Sequence, residues 1–597
     1  MVQRIATGPA PVEIPPDRNL VSAMWERADA GDQREIVQYD VGGRWEGMTW
    51  PQLAERVEAV AGGLIAAGLE PGDRVALLSP TRVEWTIADL AILAAGGVTV
   101  PIYETSSVDQ ATHILKDSGA KIAFAATADF AKVLDQSRPE APDLDEVFVF
   151  DDGAFDTLAG RAGDDERAQV RQRSAERRGE DLFSLIYTSG TTGDPKGCML
   201  THHNMLWTAE QSGVVLQSML KKGDSTLLFL PLAHVFARLV QYLFLQANVP
   251  IGYARSSDTL IEDLPSFRPT FLLAVPRVFE KVFNGAQRKA TGAKRKIFDW
   301  AVGVAYKWSE AVSEGRSPGL LTTAQHGLAD KLVYSKLRDA MGGRVSYCVS
   351  GGAPLAPHLA HFFHAAGITI LEGYGLTETT APATVNNPEQ LRIGTVGVPL
   401  PGVEIAVAED GEALVRGGNV FVGYYGDDEA TRAVLDPDGW MHTGDLGELD
   451  DDGFLTITGR KKEIIVTAGG KNVAPAVLEE RLKANALISQ AMVVGDNRPF
   501  VGALITLDPD ELEAVTSEHG LEGSPRELAD QEPVRSRIAA AVEHANAAVS
   551  KAEAIKKTVV LERDFTQEDD ELTPTLKLRR TNVLQHFTDE VEELYQS

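Results

Sequence analysis

The run Tyr187-Thr188-Ser189-Gly190-Thr191-Thr192-Gly193-Asp194-Pro195-Lys196-Gly197 follows directly on the apolar segment 182–186. Its glycines allow a tight backbone path that brings N–H groups close to a ligand. Thr188, Ser189, Thr191 and Thr192 add four hydroxyls, and Lys196 adds a positive charge. That combination suits a polyphosphate. The common phosphate loop instead has Gly-Lys followed by Ser or Thr, so that the last hydroxyl reaches magnesium. Here Lys196 lies between Pro195 and Gly197, so the run is a phosphate cradle of another kind. The plain alternative is a glycine-rich surface turn, which rarely needs so many hydroxyls beside a lysine.

A chain of 597 residues implies two to four domains. With 44% hydrophobic and 24% charged residues its composition is that of a globular protein. A net charge of −29 argues against nucleic acid as a partner but not against one anionic substrate held in a local basic pocket. Two cysteines, Cys198 and Cys348, cannot build a disulfide framework, which favours a reducing cytoplasm. Residues 1–20 carry several prolines and no apolar core, unlike a signal peptide. The greasiest stretch, 227–254, is broken by His234, Arg238 and Pro250 and does not read as a membrane span.

Leu53, Val57, Val60 and Leu64 recur at helical spacing and stop near Gly68. Short continuous apolar runs follow at 74–78, 98–103, 121–126, 146–150, 182–187, 226–230, 270–275, 344–349 and 368–371. Runs without alternation are strands buried on both faces, which implies mainly parallel sheets with helices on each side. Segment 151–181 is charged and reads as a solvated helix or linker. Segment 280–343 is long, helical and locally basic (Lys281, Arg288, Lys289, Lys294, Arg295, Lys296). It reads as a solvated face, with anionic lipid headgroups as the functional alternative. After Arg416 short strands with Gly and Asp turns take over, and a small α/β-like tail follows. The fold expected is α/β. Residues 1–459 form a large domain of mainly parallel sheets flanked by helices plus a small β-rich subdomain, and 460–597 form a small mobile α+β domain.

Four further motifs accompany the first. They are Pro231-Leu232-Ala233-His234-Val235-Phe236, then Gly373-Tyr374-Gly375-Leu376-Thr377-Glu378-Thr379, then Trp440-Met441-His442-Thr443-Gly444-Asp445. Last comes Gly459-Arg460-Lys461-Lys462-Glu463, with Leu572-Thr573-Pro574-Thr575-Leu576-Lys577-Leu578-Arg579-Arg580 far downstream. In this order the ensemble resembles the adenylate-forming superfamily over nearly the whole chain, and most closely its long-chain fatty acid–CoA ligases. The resemblance implies ATP and coenzyme A as co-substrates, Mg2+ as cofactor, and an acyl-adenylate intermediate. A fatty acyl-AMP ligase or an adenylation enzyme that loads a carrier protein is the alternative within the superfamily. The chain stops soon after Lys577, so no fused carrier domain is expected. A nucleotide-binding regulator without turnover is disfavoured by the joint presence of Glu378 and Lys577.

Asp445 can accept two ribose hydroxyls through its two oxygens. By resemblance Tyr374 stacks on adenine, and Ser350-Gly351-Gly352-Ala353 with Glu372, Gly373 and Gly375 completes the nucleotide wall. Glu378 suits magnesium, which takes oxygen ligands through one or two carboxylates plus substrate phosphates, with Thr188 beside it and a hydroxyl from Thr377. Thr188, Ser189, Gly190, Thr191, Thr192, Gly193 and Lys196 hold the phosphates. The resemblance implies that Lys577 is the lysine that enters the cleft, where an ammonium would offset charge on the carboxylate and the α-phosphate; Arg579, Arg580 and Lys556 read as solvated. His234, Phe236 and Arg238 are placed at the acyl and coenzyme A site. There His234 either orients the carboxylate or shapes the pocket. Phe236, Leu239, Val240 and the run 271–275 either line an acyl tunnel or are plain core. Arg460 resembles a residue that holds ribose or phosphate, and Lys461 or Lys462 is the pivot of the small domain. A cytoplasmic location is expected, and the reading allows a homodimer and peripheral contact with the inner face of the membrane.

Overall fold

A computed structural model describes residues 2–188, 195–221, 223–256, 259–573 and 577–596. The short apolar runs build two large sheets. One has seven strands in the order Gly423–Tyr424, Lys196–Thr201, Leu182–Thr188, Val98–Ile102, Arg74–Leu78, Ile122–Ala125, Glu146–Val149. The other has nine, in the order Val398–Pro399, Ala381–Val385, Thr369–Leu376, Tyr347–Ser350, Phe271–Ala274, Thr226–Leu228, Ile251–Tyr253, Glu35–Val41, Arg44–Thr49. The inner pairs of both are parallel. Residues Val75, Leu77, Val100, Leu272 and Cys348 are fully buried, as strands covered on both faces require.

Antiparallel strands close the edges where the nucleotide motifs lie. Leu182–Thr188 pairs antiparallel with Lys196–Thr201, so the glycine-rich run links the arms of a hairpin. Thr369–Leu376 continues past its parallel partner to pair antiparallel with Ala381–Val385. A third, five-stranded antiparallel sheet runs Val2–Thr7, Glu404–Ala408, Glu412–Arg416, Met441–Leu449, Leu455–Arg460. Beyond it, Ile488–Val494, Val501–Leu507 and Ile555–Val560 form a three-stranded sheet with its own apolar clusters, built from residues 465–594.

Segment 151–181, expected to be a solvated helix or a linker, is helical: helices Ala154–Arg161 and Asp164–Glu176 dock on helix Trp50–Ala66 through buried Leu158 and Val170. Gly63 makes that approach feasible, since a Cβ there would lie 2.2 Å from the Leu158 carbonyl oxygen. The N-terminal residues add an edge strand to Glu404–Ala408, and Leu20, Val21 and Trp25 enter the main core. Their pattern is too short and proline-broken to announce either.

Arg238 departs from expectation. It is wholly buried, and its guanidinium pairs with Asp89 and donates to Ser184 Oγ at 2.7 Å. Asp89 in turn accepts from Thr99 (2.7 Å), Gln241 (3.1 Å) and Tyr242 (2.6 Å). Phe183 and Trp85 cover the guanidinium. Arg238 is therefore a core residue that ties helices Val83–Ala94 and Val235–Gln246 to the seven-stranded sheet, and it offers nothing to an acyl chain or coenzyme A. Removing one partner strands a buried charge. Arg238→Leu is expected to lower stability by roughly 3–5 kcal/mol, and Arg238→Leu with Asp89→Leu to recover much of it. Denaturant midpoints test this; a single variant as stable as wild type would contradict the network.

Candidate active site

Sequence motifs far apart in the chain converge at the carboxyl ends of the parallel strands, where open α/β sheets bind ligands. Strand Tyr347–Ser350 delivers Gly351, Gly352 and Ala353; strand Thr369–Leu376 carries Glu372, Gly373, Tyr374 and Gly375. Gly351 lies against Gly373 and the ring of Phe236. Gly375 admits no side chain, because a Cβ would stand 1.7 Å from the Ala381 carbonyl oxygen. Thr380 and Ala381 both take positive φ values, 50° and 74°, so the turn just after Glu378 holds two strained residues.

One end of the site is organised by Asp445, which is 4% exposed. Its Oδ2 accepts from the Tyr374 hydroxyl at 2.6 Å and its Oδ1 from Arg460 Nε at 2.7 Å. Arg460 stands opposite Asp445 in the antiparallel pairing of Met441–Leu449 with Leu455–Arg460. Burial and the neighbouring Asp445 carboxylate push the Tyr374 phenol far above its usual range, so it is a hydrogen-bond donor throughout the biological range.

The other end lies at the hairpin base. Tyr424 pairs with Cys198 across the strand edge and donates to Glu378 Oε1 at 2.8 Å. Thr188 Oγ1 lies 4.0 Å from Cys198 Sγ. Burial and then Glu378 raise the Cys198 thiol well above its usual range, which keeps it a bystander. Lys196 is held by Asp427 at 2.8 Å and sits 5.5 Å from the Tyr424 ring centre. Ser189, Gly190, Thr191, Thr192 and Gly193 lie outside the described residues. Two residues that the motifs did not announce anchor the hairpin: Asp117 accepts from Tyr187 (2.6 Å), and His113 Nε2 meets the Pro195 carbonyl (2.8 Å).

Lys577 links the two ends. It feels Asp445 and Arg460 from one and Glu378 from the other, together with Glu463. Lys577 is exposed to solvent, with these charged groups around it. Burial first, and Arg460 second, hold its ammonium below the usual lysine range, against the pull of the three carboxylates. Its backbone is fixed by Thr573, which accepts the Lys577 N–H through Oγ1 (3.0 Å) and donates its own to the Lys577 carbonyl (2.8 Å). Arg579 and Arg580, read as solvated, instead brace this loop. Arg579 pairs with Asp570 at 2.8 Å; Arg580 pairs with Glu479 at 2.6 Å and lies 3.5 Å from Glu463.

His234 caps helix Val235–Gln246, its Nδ1 accepting from Phe236 N at 3.1 Å. Burial, helped by Lys577, lowers its pKa to about 4, so it is neutral at physiological pH and carries its proton on Nε2. Thr377 lies beside Glu378 in a short 3-10 turn. Lys461 is bound to Asp410 (2.5 Å) and Glu412 (3.1 Å), whereas Lys462 is exposed with no ion pair among the described residues. A magnesium ion has a partial fit: Glu378 retains one carboxylate oxygen beyond its Tyr424 bond and Thr188 offers a hydroxyl. Among the described residues no cluster of three His, Cys, Asp or Glu exists, so phosphates would complete its shell.

A family model for the AMP-binding enzyme matches residues 24–425, and one for the AMP-binding enzyme C-terminal domain matches residues 462–597. The chain belongs to the AMP-binding enzyme family. The long-chain-fatty-acid–CoA ligase FadD15 of Mycobacterium tuberculosis is 46% identical over 593 residues, covering 98% of each chain. The long-chain-fatty-acid–CoA ligase ACSBG2 of Xenopus laevis is 32% identical over 601 residues, 93% of this chain and 80% of the relative. Among solved structures, the adenylation domain of a carboxylate reductase from Mycobacterium chelonae superposes with a TM-score of 0.75 at 24% identity, covering 97% of this chain and 92% of that one. The anthranilate CoA ligase AuaEII in complex with anthranoyl-AMP gives 0.73 at 20% identity, covering 96% and 98%. The fold of this chain is thus that of the family.

Glu372 does not present a charge to the site. Its buried carboxyl accepts from Leu355 N at 3.0 Å and braces the 351–355 loop. Burial, with Glu480 from the C-terminal region adding to it, pushes its pKa up to about 8; burial takes Glu480 to about 7. Unfolded, both titrate in the ordinary carboxylate range. The folded chain therefore binds more protons between that range and pH 7–8, and this contribution is lost as pH rises through the folded values. Glu372→Gln, which cannot ionise, is expected to gain melting temperature relative to wild type as pH goes from 6 to about 8.5. A difference that stays constant with pH would contradict a protonated Glu372.

Proposed function

We propose that the chain is an ATP-dependent long-chain fatty acid–CoA ligase working through an acyl-adenylate, with coenzyme A as acceptor and AMP and pyrophosphate as products. The observation that carries the reading is the match to FadD15 over 98% of the chain, with buried Asp445 held by Tyr374 and Arg460 and Glu378 held by Tyr424 at the motifs that the resemblance assigns to the nucleotide.

Each oxygen of Asp445 accepts one bond and retains capacity for a second, which suits two ribose hydroxyls. Tyr374, Gly351 and Gly373 border the adenine, and the flat glycine backbone lets the ring lie close. The hairpin run, with Thr188 and Lys196, receives the phosphates; Lys196 exchanges Asp427 for them. Glu378 and Thr188 would hold magnesium, which when bound supplies charge neutralisation of the triphosphate. The acyl carboxylate enters beside His234 and Phe236, where neutral His234 donates through Nε2 without repelling or drawing off a proton. Its oxygen attacks the α-phosphate while Lys577 faces both anions, so the developing charge meets a fixed cation. Coenzyme A sulfur then displaces AMP from the adenylate, and no protein nucleophile is required.

The two-domain division at 459/460 belongs to this proposal. Lys461 is held by the five-stranded sheet and Lys462 is not, which favours Lys462 as the pivot. Among the described residues no helix is long and apolar enough to cross a membrane; a cytoplasmic location is part of the same reading.

ATP–pyrophosphate exchange across acids from acetate to palmitate tests the function. Strong exchange only with the longer acids is expected, followed by acyl-CoA formation with free coenzyme A. Lys577→Ala should cut exchange by about 10²–10³ while still converting preformed palmitoyl-adenylate and coenzyme A to thioester. Equal exchange by variant and wild type would refute the role of Lys577, and product that stalls at acyl-AMP would favour the carrier-loading alternative.

A further inference from the structure

Helices Ala293–Ser313 and Leu320–Ala329 pack on one another, and the first covers helix Pro357–Ala365. The outer helix turns a leucine stripe to solvent. Leu320 is 94% and Leu321 73% exposed, with Leu328 at 52% and Leu332 at 40%. Leu320, Ala324, Leu328 and Leu332 recur every fourth residue, so they share one face of the helical stretch. Tyr306 and Val312 extend the exposed apolar surface on the neighbouring helix. Such a concentration of large exposed aliphatics marks an interaction surface.

The charges around it identify the partner. Lys307, Lys331 and Lys336 are exposed and form no ion pair among the described residues. Three of the five nearby acids are spent: Glu314 pairs with Arg316, Asp330 with Arg338 at 2.7 Å, and Asp299 with Arg295 at 3.0 Å, while Glu310 and Asp339 form no ion pair among the described residues. Residues 293–341 carry eight Lys and Arg against five Asp and Glu, in a chain with 57 against 86. A second copy docking through the same patch would set these lysines against themselves, because a two-fold contact repeats one surface on both sides. An anionic lipid surface is complementary to both parts: leucines enter the acyl boundary and lysines remain at the headgroups.

We propose that the leucine stripe of 320–332, with Lys307, Lys331 and Lys336, is a docking surface for an anionic bilayer. It lies apart from the cleft and does not depend on the acid that the cleft accepts.

Flotation of the full-length protein with phosphatidylcholine vesicles, and with vesicles mixed with phosphatidylglycerol, tests it. Wild type is expected to float with the mixed vesicles and to be released by high salt. Binding to an anionic surface despite a net charge of −29 requires a local site. Leu320→Ser with Leu321→Ser, and separately Lys331→Glu with Lys336→Glu, should each reduce the bound fraction at least about tenfold. Both variants should keep wild-type melting temperature and exchange with a soluble acid, since the side chains are exposed. Failure of wild type to float, or flotation unchanged in both variants, would overturn the proposal. So would a dimer by light scattering that the leucine variant dissolves, because the stripe would then be an interface between copies.

Discussion

A buried carboxylate needs donors, and Asp445 takes one from each of two sheets. Tyr374 reaches it from the edge of the nine-stranded sheet, and Arg460 from the last strand of the five-stranded sheet. Arg460 is also the last residue before the chain leaves for the C-terminal region, and Lys577 returns from that region into the same field. Desolvating a carboxylate without donors is costly, so the two bonds add a polar tie to the apolar cluster that joins the sheets. The ligand-binding end of the cleft and the seat of the C-terminal lysine are set by one constraint.

At the opposite end the logic is strand pairing. Thr188, Cys198 and Tyr424 lie on three adjacent strands, and Glu378 meets them through the Tyr424 hydroxyl. The Tyr424 hydroxyl and the Phe421 N–H, which bonds the Glu378 carbonyl at 2.9 Å, hold Glu378 at that edge. Asp445, Tyr374, Arg460, Thr188 and Tyr424 thus sit on sheet strands, which hold position better than loops, whereas Glu378 stands in the 3-10 turn that follows Leu376.

Much of this was legible in the residues. Continuous apolar runs located most of the parallel strands of the two large sheets, because burial on both faces leaves no alternation to misread; Glu35–Val41 and Ile251–Tyr253 were missed, and the run 368–371 stops five residues short of Leu376. The site motifs stood out because hydroxyls, glycines and a lone lysine have no packing reason to cluster. Arg238 misled because a wholly buried arginine looks, in sequence, like any cation near a functional motif; only the fold supplies Asp89, 149 residues away. Glu372 misled similarly, since its role as a neutral brace depends on Leu355 and on Glu480 arriving from the C-terminal region. Arg579 and Arg580 appeared to be surface residues for want of Asp570, Glu479 and Glu463. Long-range polar pairing is the common element: periodicity records burial, not partners.

The central claim is that Asp445, Lys577 and Glu378 border one continuous ligand cleft. A crystal structure with magnesium and a non-hydrolysable ATP analogue tests it most directly. The account predicts ribose hydroxyls within hydrogen-bond distance of Asp445, Glu378 on the metal, and the Lys577 ammonium facing the α-phosphate. A nucleotide bound with Asp445 still wholly occupied by Tyr374 and Arg460, and with its phosphates away from Glu378 and Lys577, would contradict it.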